Sequence, residues 1–204
     1  VFSGSAPGMS FAEALQSVNP AFAPPVTRRA MVFEMHPGKR YIEKHMNREL
    51  FFIVTGSKQM PLDHMTLVPK GEYLTAALVG EHIDRAVFPE DTRRIISEFF
   101  LLPQVRALLP GLTRDNTPVT CTCTPSLVIR PSLEPVCDRI APAGDLLGSR
   151  LYRDGLTSAF VSAKVLARTA VSRGIDKNSL SMGYRPAMNR LERDSRAARK
   201  VRSE

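Results

Sequence analysis

Two extended runs, residues 64–68 and 73–79, are separated by a stretch too short for anything but a reversal of the chain. Parallel strands need a crossover of a dozen residues or more, and Pro69-Lys70-Gly71 offers only a tight turn. The pair is therefore antiparallel. Residues 30–35 and 49–54 are further strand candidates, with His36-Pro37-Gly38-Lys39 as the turn after the first. The spacing predicts an antiparallel meander.

Helical periodicity frames this sheet. Residues 10–18 predict a short helix with Ser10 as N-cap and Glu13 completing a capping box, ending before Asn19-Pro20. Ala23-Pro24-Pro25 then predicts an extended linker and a change of domain near Arg28. Ile95, Ile96, Phe99 and Leu102 recur at helical spacing after Glu90 and Asp91. Pro103 and Pro110 bracket a second short helix, and residues 117–129, rich in Thr and Val, predict one long extended segment. A short apolar run, 139–143, predicts a buried strand ending at Gly144-Asp145. A helix starting at Asp154 or Gly155 follows, about 18 residues or roughly 27 Å long. Leu156, Ala159, Phe160, Ala163, Ala167, Ala170 and Val171 share one face, and Gly174 is placed to terminate it.

Composition narrows the function classes. A chain of 204 residues can bury a core without metal or disulfide support. Its formal charge of +8 gathers between Lys164 and Arg202, where Arg190, Arg193, Arg196, Arg199, Lys200 and Arg202 read as a solvated helix face. Aromatics are not interleaved there beyond Tyr184, so no nucleic acid is expected; contact with anionic lipid or a partner is the alternative role of this tail. Cys121, Cys123 and Cys137 lack zinc-site spacing and are odd in number, which fits a reducing, cytoplasmic setting. Cys121 and Cys123 alternate along a predicted strand and are expected to fill core or cleft space. His36, His45, His64 and His82 lack metal-helix spacing, and no metal is expected. No apolar run approaches the ~20 residues of a membrane span. The chain opens at Val1 without an initiator methionine, in a strand-like Val1-Phe2 before Ser3-Gly4-Ser5, and reads as a piece of something longer.

One constellation carries chemistry. A strand ending in Gly144-Asp145 beside the start of a small-residue helix offers a carboxylate for ribityl hydroxyls and unsatisfied N–H groups for an electron-rich oxygen. A flavin presents both, because negative charge collects at its N1 and O2 edge on reduction. The amides of Asp154, Gly155 and Leu156 would face that edge. Gly155, Ser158 and Ala159 are small enough for the backbone to approach the ring.

Gly144-Asp145, Ser149-Arg150-Leu151-Tyr152-Arg153-Asp154-Gly155 and Ser158-Ala159-Phe160 with Ala163-Lys164 resemble the C-terminal motif of FAD-dependent oxidoreductases related to geranylgeranyl reductases and aromatic hydroxylases. The resemblance is concentrated over residues 139–174. It extends more weakly upstream, where Val68-Pro69-Lys70-Gly71-Glu72-Tyr73 before Leu78-Val79-Gly80 is similar to the family's substrate-domain sheet. Gly4 lies where a flavin-domain strand ends.

This resemblance implies a mixed α/β fold: the last elements of a Rossmann-like FAD-binding domain (1–28), an antiparallel-sheet substrate domain of the aromatic-hydroxylase type (29–132), and a C-terminal FAD-contacting motif with helices (133–204). It implies FAD as cofactor, with NAD(P)H or another donor, and a small-molecule substrate of isoprenoid-like or aromatic type. Gly144, Asp145, Arg153, Asp154, Gly155, Leu156 and Gly4 become the cofactor-binding candidates, and no catalytic side chain is assigned. A reductase and a flavin-dependent monooxygenase are both compatible; a non-catalytic lipid- or protein-binding module is the reading from another class. The glycine-rich dinucleotide fingerprint is absent and is expected to precede Val1. Leu146, where the family has a small residue, and Pro142, inside an expected parallel strand, depart from the pattern and predict weaker flavin binding.

Overall fold

The computed structural model describes residues 9–47, 49–54, 58, 60–149 and 155–203, and only the backbone of 9, 10 and 195–203. The chain divides into two compact units, Arg29–Pro125 and the combination of Val1–Arg28 with Ser126–Glu204.

The unit Arg29–Pro125 is an antiparallel sheet with helices on one face. Its strands are β1 (Val26–Met35), β2 (Phe51–Ile53), β3 (His64–Lys70), β4 (Tyr73–Val79) and β5 (Val119–Cys123), in the order β2-β3-β4-β1-β5. The expected meander is present as β2-β3-β4, and β1 adds beside β4 with Met31 opposite Leu78 and Phe33 opposite Ala76. β3 runs two residues past its predicted end, to Lys70, and the reversal falls at Gly71-Glu72, where Gly71 adopts the left-handed φ of 66° that the link needs. Pro69 is tolerated inside β3 because β2 reaches only from Met65 to Leu67.

Alternate residues of these strands build the core: Met31, Phe33, Met35, Met65, Leu67, Leu74, Ala76 and Leu78 are all buried on one face. Helix α4 (Thr92–Leu101) closes over them with Ile95, Ile96, Phe99 and Phe100, and Phe99 meets Phe33 edge to face at 5.1 Å. The α5 helix (Pro103–Leu108) follows as expected. Two further helices, α2 (Lys39–His45) and α3 (Glu81–Asp84), were not legible, since two turns or fewer give no periodicity.

Other expectations are corrected. β1 begins at Val26 rather than Ala30, β2 is confined to Phe51–Ile53, and the long extended segment is broken at Thr124-Pro125 into β5 and β6 (Ser126–Arg130), which pairs with β1. Proline lacks the ladder N–H and restricts its predecessor. Cys121 and Cys123 are exposed on β5, the last strand of the sheet order, and fill no core.

In the other unit, α1 is Met9–Val18, so Ser10 lies inside the first turn and is not the N-cap. Ala12 and Leu15 pack on Phe22. Residues 139–143 form no strand: Arg139 is left-handed at φ 62°, Cys137 bridges Ile140, and Pro142 has no N–H to offer a ladder. Helix α6 (Gly155–Ser172) has the expected 18 residues and stops at Gly174, φ 112°, whose N–H donates to the Thr169 carbonyl at 3.3 Å. The apolar face read from the sequence is not the one that packs. Leu156, Phe160 and Val171 are exposed, while Ser158, Ser162 and Thr169 are buried. Helix α7 (Lys177–Ser203) packs on α6, with Leu180, Tyr184 and Leu191 in a core shared with Val136 and Leu147. Gly183 on α7 lets the two helices close, since a Cβ there would collide with the Thr169 side chain of α6. Among the described residues no helix is long and apolar enough to cross a membrane.

Candidate functional site

Gly144 opens a single 3-10 turn, Gly144–Leu146, at a left-handed φ of 69°. It is buried, and a methyl group there would sit 3.4 Å from the Ala159 Cβ. Its N–H donates to Ser162 Oγ at 3.0 Å, and that hydroxyl donates to the Ala159 carbonyl at 3.0 Å. Its carbonyl accepts from Leu147 and Gly148 at 3.0 and 2.9 Å. The turn is thus fixed against α6 on one side and closed on itself on the other.

The Tyr184 hydroxyl secures the approach to the turn, donating to the Pro142 carbonyl at 2.8 Å. Burial holds the phenol well above its ordinary pKa, and a hydrogen bond with Ser162 opposes that shift. The buried phenol therefore stays a neutral donor. Pro142 contributes its carbonyl to this anchor instead of interrupting a ladder.

Asp145 is exposed. A methyl group on Gly155 would lie 3.6 Å from Asp145 Oδ1, so the carboxylate sits against the start of α6. Leu156 is 90% exposed, leaving its side of the first turn uncovered. Leu146 is half-buried against Ala12, Leu15 and Phe22, so its bulk is used to hold α1. The structure thus brings Gly144, Asp145, Gly155 and Leu156 together. Arg153, Asp154 and Gly4 lie outside the described residues.

An exposed carboxylate beside helix N–H groups accepts hydrogen bonds from hydroxyls, while the helix start favours negative charge on a neighbouring group. Ser162 and Tyr184, which hold the turn in place, were missed by sequence reasoning. A partial signal was the recurrence of hydroxyl residues at 158, 162 and 169, one helical face.

No protein-family model matches the sequence, and no curated protein matches it. Solved structures do match. A p-nitrophenol 4-monooxygenase from Pseudomonas putida DLL-E4 superposes with a TM-score of 0.63 at 18% identity, over 95% of this chain and 49% of that one. A geranylgeranyl bacteriochlorophyll reductase-like protein from Thermoplasma acidophilum gives 0.62 at 13%, over 87% and 43%. The rebeccamycin biosynthetic enzyme RebC with reduced flavin gives 0.59 at 16%, over 95% and 36%.

This chain shares the fold of these three solved proteins.

The three likenesses cover the antiparallel sheet as well as the helices, so the shared fold extends through nearly all of this chain. The chain spans about half or less of the length of these solved chains. Within that shared fold, the Gly144-Asp145 turn and the start of α6 are the candidate site.

Proposed function

We propose that this chain is the ribityl- and ring-facing part of an FAD-dependent oxidoreductase. The observation that carries the reading is the exposed Asp145 carboxylate set against Gly155 by a turn pinned through Ser162. These residues fit a flavin: the turn is rigid, the carboxylate faces solvent, and no side chain at Gly155 bars backbone approach. FAD supplies the redox chemistry when bound.

Asp145 accepts hydrogen bonds from ribityl hydroxyls, and Ser162 and Tyr184 keep it in position. The first-turn amides of α6 stabilise negative charge at the ring edge, with Gly155 setting the distance of approach. NAD(P)H or another donor supplies electrons, and the substrate is a small isoprenoid-like or aromatic molecule. Oxygen uptake that depends on substrate separates a monooxygenase from a reductase. Contact of the basic α7 with anionic lipid belongs to the same reading.

The test is the visible spectrum of the purified protein after addition of FAD, compared with Asp145→Ala. Losing charge-assisted hydrogen bonds is expected to weaken flavin retention roughly ten- to a hundredfold. A protein that takes up no flavin, or an Asp145→Ala variant that retains it equally well, overturns the reading.

A further inference from the structure

We propose that the cavity walled by residues 23–26, 130–136 and α7 binds an oxyanion carried on an apolar body, such as a medium-chain carboxylate or alkyl phosphate. The cavity measures about 590 Å³, the size of small-molecule sites. It lies wholly within the unit that carries the Gly144-Asp145 turn, but none of that turn's glycine or aspartate residues line it. It does not rest on the flavin reading.

Its irregular wall is preformed. Ser132 donates both its N–H and its hydroxyl to the Leu147 carbonyl, at 2.8 and 2.9 Å. Leu133 and Ala23 exchange backbone hydrogen bonds at 2.9 and 3.0 Å, and Asn19 Nδ2 donates to the Glu134 carbonyl at 2.8 Å. Gly148 presses on Pro131 so closely that a Cβ would come within 2.7 Å of the ring. A wall ordered in advance loses little entropy on binding.

The lining has two characters. Val136, Leu147 and Leu191, with Pro24, Pro135 and Met188, give an apolar surface. Arg130 at the end of β6 and Arg185 on α7 bring two exposed guanidinium groups to the same cavity, and among the described residues neither is in an ion pair or hydrogen bond. β6 packs against α7, so the two arginines come from neighbouring elements. Ser181, one turn before Arg185, adds a hydroxyl. Two guanidinium forks suit a planar or tetrahedral oxyanion. Glu134 and Glu192 also line the cavity, and Glu192 stands about two turns, roughly 10 Å, beyond Arg185 along α7. Along α7 that separation leaves the Arg185 and Ser181 end for the anionic head.

The test titrates octanoate, below its micelle concentration, into the full chain carrying methyl-labelled methionine and follows Met188. Octyl phosphate, octanol and inorganic phosphate are the comparison probes. Octanoate or octyl phosphate is expected to shift Met188 saturably, and the tighter of the two identifies the head group. Octanol and inorganic phosphate are expected to bind at least tenfold more weakly, and Arg130→Gln and Arg185→Gln each to weaken the alkyl anions about tenfold. Both side chains are exposed and have no partner among the described residues, so the variants are expected to keep the wild-type far-UV spectrum. No saturable shift with either alkyl anion overturns the proposal. So does equal binding of inorganic phosphate, or unchanged affinity in both folded arginine variants.

Discussion

Tyr184 and Ser162 show how much a motif of two residues depends on partners far along the chain. Replacing Tyr184 by Phe keeps the ring in its core but leaves the Pro142 carbonyl buried without its donor. Such a loss costs about 1–3 kcal/mol, and denaturant unfolding should show it as a lower midpoint with an unchanged slope. Ser162→Ala takes the acceptor from the Gly144 N–H and should lower flavin affinity even where Asp145 is intact, which titration with FAD would detect. The neighbourhood of Gly144-Asp145 and the helix start at Gly155 was legible in the sequence, because glycine marks a turn and a helix start without a side chain, although the strand expected before the turn is absent. Ser162 and Tyr184 were not, since a hydrogen bond spanning 18 or 42 positions leaves no local pattern.

Among the elements, the α6–α7 pair is the most sensitive to small changes. Alanine at position 183 improves helix propensity by about 1 kcal/mol, yet its Cβ would collide with Thr169. Thr169 has little room to move, because its hydroxyl donates to the Val165 carbonyl at 2.9 Å. Overpacking of this kind costs about 1–3 kcal/mol, so Gly183→Ala should lower the melting temperature and Thr169→Ala in the same chain should recover most of the loss. At the start of α4, the Val87 N–H and then Arg94 hold the Asp91 carboxyl below its ordinary range. The stabilisation is complete above the unfolded value of about 3.9 and disappears as pH falls through the lower folded value. An acid titration of amide signals at 87–94 should therefore show loosening of the wild type at a pH where Asp91→Asn shows no further change. β4 and α4 were legible because their periods are regular and their apolar residues face inward. The length of α6 was legible and its orientation was not, since close helix packing selects serine and threonine for the buried side.

For the whole molecule, sheet order was the least legible feature. Nothing near Val26–Met35 announces that its neighbour is Tyr73–Val79 rather than the next strand in sequence. One core nevertheless serves a continuous stretch of chain, from Met31 to Leu109. An excised segment of residues 26–125 should fold alone and melt in one cooperative transition, followed by near-UV circular dichroism around Phe33 and Phe99. A gradual, non-cooperative loss would refute that independence.

The outward-turned Leu156, Phe160 and Val171 also govern how the protein behaves in the tube. At low ionic strength the charge of +8 keeps copies apart, while at 0.1 M salt repulsion reaches only about 10 Å and the apolar ribbon on α6 is left to act. Dilute buffer should keep solutions clear where concentrated salt clouds them.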